Sequence, residues 1–153
     1  MRGAVSLIIC LAACLATGWI GSRFMPGEWY ETLLKPSWTP PNSVFGPVWT
    51  LLYVMMGVAA WLVWQRKTVA QVAMPLFLFV VQLVLNAMWS YIFFGRRQPG
   101  AAFFEIVILW IAVLLTLIGF RRIRTAAGIL MLPYFLWVSF ALVLNFQLWR
   151  LNV

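Results

Sequence analysis

Histidine is absent from all 153 residues. That absence excludes His-ligated zinc, an imidazole general base and a Ser-His-Asp triad. Charge is also scarce, with Asp, Glu, Lys and Arg making up 9% of the chain against about 25% in a soluble domain. So few charged side chains would not cover a globular surface in water, which excludes a water-soluble enzyme. Acid is scarcest: the three acidic residues, Glu28, Glu31 and Glu105, form no general acid–base pair. Cysteine is limited to Cys10 and Cys14. They lie one helical turn apart, a placement that suits small packing residues better than a disulfide or a metal site.

What is present is apolar. Hydrophobic residues are 65% of the chain and the mean hydropathy is +0.96, which excludes disorder. The net charge of +8 comes in small basic clusters between apolar runs. That pattern fits loops at a lipid surface, with membrane lipid as a partner, rather than a groove for nucleic acid. Five runs reach the roughly 20 residues that a bilayer requires: 3–22, 44–65, 72–94, 101–120 and 126–149. The pattern predicts an all-α, multi-pass integral membrane protein, a five-transmembrane-helix bundle forming a single domain. Alternating segments of about 10 residues, the mark of a β-barrel, are not found. Arg2 and the apolar stretch after it resemble a signal peptide, and Leu11-Ala12-Ala13-Cys14 resembles a lipoprotein cleavage box. The run continues to Ile20, however, long enough to span. Lys and Arg are divided almost evenly between the two sides, so the positive-inside rule favours an inside N-terminus by a single residue.

Three connections have only five or six residues, which makes successive spans antiparallel. The first connection, 23–43, has 21 residues. It carries Trp29, Tyr30 and Trp38 together with Pro36, Pro40 and Pro41. Prolines restrict the backbone and the aromatics supply apolar surface, so the loop is expected to fold as a lid. The alternative is an interfacial aromatic belt.

Within the spans, polar side chains tend to face the bundle interior. Gln82, Asn86 and Ser90 share the third span, with Trp89 and Phe93 continuing the helical face of Gln82 and Asn86. Trp49 and Tyr53 are four apart on the second. Tyr134, Trp137, Ala141 and Asn145 stack on the fifth. Such stripes serve helix packing as readily as a pocket. The count of 10 tryptophans favours a pocket, because indole faces with a few amide donors suit a large, flat, apolar ligand. Glu105, the one charge inside the spans, lies about a turn from a loop and is expected to reach the interface. Pro133 is expected to kink the fifth span. Arg96, Arg97 and the cluster from Arg121 to Arg124 suit lipid phosphates.

Several stretches in order resemble one family. They are Lys35-Pro36-Ser37-Trp38-Thr39-Pro40-Pro41, Phe45-Gly46-Pro47-Val48-Trp49 with Leu52-Tyr53, Leu85-Asn86-Ala87-Met88-Trp89 with Phe93-Phe94-Gly95, Pro133-Tyr134 with Trp137, and Leu144-Asn145-Phe146 with Trp149-Arg150. This is similar to the TspO/translocator-protein family, also described as tryptophan-rich sensory proteins or peripheral-type benzodiazepine receptor homologues. The resemblance implies a bacterial five-helix bundle, commonly a homodimer. It also implies a cavity on the long-loop side for a tetrapyrrole, protoporphyrin IX or haem, and in some members for a sterol. By that resemblance Trp49 and Trp137 match tryptophans linked to light-dependent porphyrin breakdown. Asn86 and Trp89 match pocket positions, Tyr30, Trp38 and Pro41 match the lid, and Tyr53, Phe93 and Ala141 match the cavity wall. Phe146 stands where a proposed sterol motif wants tyrosine, and Thr39 where animal members have histidine.

Free-base porphyrin needs no axial ligand, so no metal site and no obligatory cofactor are expected. Its propionates would want cations at the cavity mouth, and Arg23, Lys35, Arg96 and Arg97 all lie on the long-loop side. A binding receptor or sensor, a porphyrin-degrading enzyme that uses indoles as electron donors, a porphyrin or sterol transporter and a scaffold are the competing functions. The transporter would be expected to show an internal repeat, and none is seen.

Overall fold

Twenty apolar residues in a row, placed in lipid, leave a backbone with no hydrogen-bonding partner but itself, and helices result. The structure, a computed structural model, describes residues 2–24, 26–66 and 68–153. It contains α1 (Arg2–Ser22), α2 (Glu28–Thr32), α3 (Asn42–Trp64), α4 (Val69–Ser90), α5 (Pro99–Ile123) and α6 (Thr125–Leu151). A π-helical turn over Tyr91–Gly95 extends α4. Among the described residues there is no strand. All helices but α2 are long and apolar enough to cross a membrane, giving the five expected spans.

Local chemistry sets the helix ends. Pro41 holds the residue before α3 extended, at φ −59° and ψ 145°, so α3 starts at Asn42, two residues before the apolar run. α5 opens on Pro99, where the missing N–H would have had no partner in any case. One extended residue, Arg124 (φ −151°, ψ 118°), joins α5 to α6. Gly128 permits so tight a hairpin, since a Cβ there would lie 2.9 Å from Arg121 Cα. Further along, α6 runs through Pro133 to Leu151 as one helix.

The long helices close into a ring. α1 packs on α3 and α4, α3 on α6, α6 on α5, and α5 on α4. Away from the long loop the interior is solid, with Met56, Val63, Val113, Phe120 and Met131 fully buried and Phe79 stacked on Phe120 at 5.4 Å. Cys10 and Cys14 are free and buried among them.

The first loop is helical in part. It contains α2, whose Tyr30 is only 3% exposed and meets Phe93 and Phe94 edge-on at 6.3 and 5.6 Å. Burial pushes the Tyr30 phenol pKa up, and the neighbouring Glu31 carboxylate adds to the rise. The loop is also clasped from the far end of the chain. Leu34 N–H donates to Asn152 Oδ1 at 2.9 Å, and Asn152 Nδ2 donates to Leu34 O at 3.0 Å.

One expectation needs revision: Glu105 does not reach the interface. It lies buried, and neither carboxylate oxygen has a hydrogen-bond partner. The reason is helical phase. Ala102, Ile106, Leu109, Val113 and Thr116 form the buried stripe of α5, and the rotation that packs this stripe carries Glu105 inward with it.

Candidate functional site

At the loop end the interior opens into a cavity of about 290 Å³, close to the lower bound of about 300 Å³ for small-molecule sites. Four spans and the first loop build it, and α5 contributes no lining residue. Phe45, Trp49 and Tyr53 arrive from α3 at four-residue spacing, which lays three aromatic rings on one helical stripe. Trp137, Ala141, Leu144 and Leu148 form the matching stripe on α6, joined by Phe140. From α4, Trp89 leads into the π turn. A π turn holds more residues than an α turn, and here both Phe93 and Phe94 line the cavity. Gly18 and Gly21 complete the wall on α1, with Phe24, Pro26 and Tyr30 of the loop above them.

Trp49 and Trp137 stand 6.4 Å apart with ring planes at 88°. At that angle a flat molecule lying face-on to one indole meets the edge of the other. Trp49 also stacks on Tyr53 at 5.5 Å and 27°, and Trp137 lies 5.6 Å from Phe140. Gly18 makes room for Tyr53, since a Cβ on Gly18 would stand 2.6 Å from the tyrosine ring.

Beneath the aromatics lies a directed chain of hydrogen bonds. Tyr53 Oη donates to Asn86 Oδ1. Asn86 Nδ2 donates to Tyr134 Oη at 3.2 Å, which in turn donates to Gln82 Oε1 at 2.8 Å. All four residues are buried. A second tie fixes the wall: Trp89 Nε1 donates to Asn145 Oδ1 at 2.9 Å, and Asn145 Nδ2 donates to Pro99 O at 2.8 Å.

Of the residues expected at a ligand site, Trp49, Trp137, Tyr30, Tyr53, Trp89, Phe93 and Ala141 line the cavity together. Others do not. Asn86 lies behind Tyr53, with both ends of its amide engaged by tyrosine hydroxyls. Trp38 is 44% exposed and packs edge-on to Phe140 at 5.7 Å, outside the lining layer. Pro41 faces a separate, shallower pocket that also takes in Lys35. Arg23, Arg96 and Arg97 line neither pocket. Arg23 rests over Trp19 at 4.4 Å. Arg97 adopts φ 56° in the exposed turn before α5.

The TspO/MBR family model matches residues 8–150. The chain belongs to this family. Its membership and its five apolar helices make it an integral, multi-pass membrane protein. The relatives of this TspO/MBR chain include the Tryptophan-rich protein TspO of Chlorobaculum tepidum, 44% identical over 97% of this chain and 96% of that protein. The Tryptophan-rich sensory protein of Cereibacter sphaeroides is 39% identical over 93% of this chain and 88% of that protein. The Translocator protein of Homo sapiens is 41% identical over 87% and 82%, respectively.

The TspO/MBR cavity also uses residues that sequence reasoning passed over. Gly18 and Gly21 are three apart at the end of α1, and Phe45 and Phe140 flank Trp137 at 6.0 and 5.6 Å. The glycine pair was visible as a small-residue notch. Phe45 opens one of the family-like stretches without being marked as a cavity residue, and nothing in the sequence separated Phe140 from ordinary packing aromatics.

Proposed function

We propose that this protein is a membrane receptor or sensor that takes a tetrapyrrole, protoporphyrin IX or haem, into the aromatic cavity, and that it promotes light-dependent breakdown of the porphyrin. One observation carries the reading: Trp49 and Trp137 line the same cavity at right angles, 6.4 Å apart. The names of two relatives, tryptophan-rich sensory protein and translocator protein, support the receptor or sensor part. Among the described residues the lining contains no His, Cys, Met, Asp or Glu, so it suits a free-base macrocycle held by stacking and apolar contact. Haem would need Tyr, Met, Cys or water at its iron, or would bind by stacking alone. With no acid–base pair in the lining, the chemistry this chain can supply is electron donation from an indole to a photoexcited ligand. Confinement away from water would supplement it. The first loop covers this arrangement through Phe24, Pro26 and Tyr30, as a lid would.

Two measurements on one sample test this. Protoporphyrin in the dark should quench tryptophan fluorescence. Illumination should then convert the bound porphyrin to a defined product seen by absorbance and mass spectrometry. Trp49→Phe and Trp137→Phe should retain binding and lose the product. Bleaching at the wild-type rate in both variants would defeat the photochemical part. Absence of any quenching in the unmodified protein would defeat the receptor as well.

A further inference from the structure

The second pocket lies in the first loop, beside the main cavity. It has a volume of about 340 Å³ and is lined by Glu31, Lys35, Thr39, Asn42 and the proline run. Asn42 lines both pockets. Tyr30 forms the partition beside it: its ring lines the main cavity, and Lys35 Nζ sits 4.7 Å from the ring centroid. The two spaces therefore adjoin at Asn42, with Tyr30 and Lys35 in contact beside it.

A carboxylate already occupies the polar groups of the outer pocket, and it is the protein's own. Asn42 Nδ2 donates to Glu31 Oε1 at 2.6 Å, and Lys35 Nζ lies 3.8 Å from Glu31 Oε2. The Lys35 ammonium is further fixed by a 3.2 Å hydrogen bond to the Glu31 backbone carbonyl. The exposures are unequal. The Lys35 side chain is 22% exposed and that of Glu31 62%, so the cation is held in place while the acid can return to water. A carboxylate arriving from the main cavity past Asn42 would meet the same amide donor and the same ammonium. The exchange swaps like for like, and the displaced Glu31 is rehydrated.

We propose that this outer pocket is a subsite for the carboxylate arm of a flat apolar ligand, and that Glu31 competes for it from within the chain. The proposal deepens the tetrapyrrole reading and rests on it. The ligand is then an acid-bearing macrocycle, its ring among Trp49, Trp137 and Phe93 and one acidic side arm on Lys35 and Asn42. Glu31 weakens binding twice, by occupying these partners and by repelling the incoming charge.

Protoporphyrin IX and its dimethyl ester separate the terms, because they share the ring and differ in charge. Both are titrated in the dark by tryptophan quenching into the purified full chain in lipid nanodiscs. Glu31→Gln should tighten the diacid about three- to fivefold at low salt, the scale of an exposed ion pair, and leave the ester unchanged. High salt should shrink the gain. Lys35→Gln should weaken the diacid alone, and added to Glu31→Gln it should remove the gain. The proposal is overturned if Glu31→Gln leaves the diacid unchanged or shifts acid and ester alike. If the unmodified protein quenches with neither compound, the main cavity reading fails instead.

Discussion

Two buried polar residues of the interior carry opposite energetic signs. Tyr134 is fully buried and fully used, accepting from Asn86 and donating to Gln82. Tyr134→Phe would leave an amide hydrogen and a carbonyl oxygen unpaired in an apolar interior, at a cost of about 1–3 kcal/mol. Glu105 is also buried but has no partner for either oxygen. Replacing such a group by an apolar side chain of like size removes a desolvation penalty and breaks no bond. Thermal unfolding in detergent should therefore move in opposite directions, with Tyr134→Phe lowering the midpoint and Glu105→Leu raising it. A chain of this size shifts by about 2–4 °C per kcal/mol. A lowered midpoint for Glu105→Leu would show that the carboxyl is doing structural work that the observed contacts do not contain. The sequence already pointed inward for Gln82, Asn86 and Tyr134, because polar groups avoid lipid. It pointed the wrong way for Glu105, because nearness to a loop in sequence says nothing about which way a helix is rotated.

Among the elements, the first loop gains most from contacts distant in sequence. Its proline run and aromatics announced a folded segment, and α2 is short enough to escape a search for apolar runs. The clasp that ties Leu34 to Asn152 joins residues 118 apart and leaves no sequence pattern. It is exposed to water, so its net worth is about 1 kcal/mol. Asn152→Ala should speed amide exchange in the loop about fivefold while the spans keep their protection, as read by hydrogen-exchange mass spectrometry. Exchange unaltered around Leu34 would mean that Tyr30, packed on Phe93 and Phe94, holds the loop without help. The π turn at Tyr91–Gly95 is a second element that periodicity missed. Its residues are apolar and helical in pattern, and only the hydrogen-bond register distinguishes a π turn from an α turn.

For the whole molecule, the order of helices around the ring matters more than their count. Because α6 packs between α3 and α5, the stripes of Trp49 and Trp137 adjoin in the wall of one cavity, while α5 lies outside it and serves as a brace. Phe104 and Ile108 lie on the exposed face of α5, at 62% and 57% exposure. Alanine at both positions should leave porphyrin quenching at the wild-type level. A change there would mean that the ligand site extends to a surface unconnected with the cavity. The sequence by itself determined that this chain enters a membrane, that it crosses five times, and which residue types could meet a flat ligand. Those properties follow from the length and composition of each run, because hydrocarbon forces every run to satisfy its own backbone. The tertiary structure alone decided which stripes meet, that Asn86 braces Tyr53 instead of lining the cavity, and that Lys35 and Asn42 are held by Glu31 in a second pocket beside the first. Such facts depend on helix rotation and neighbour order, which are settled by packing between segments far apart in the chain.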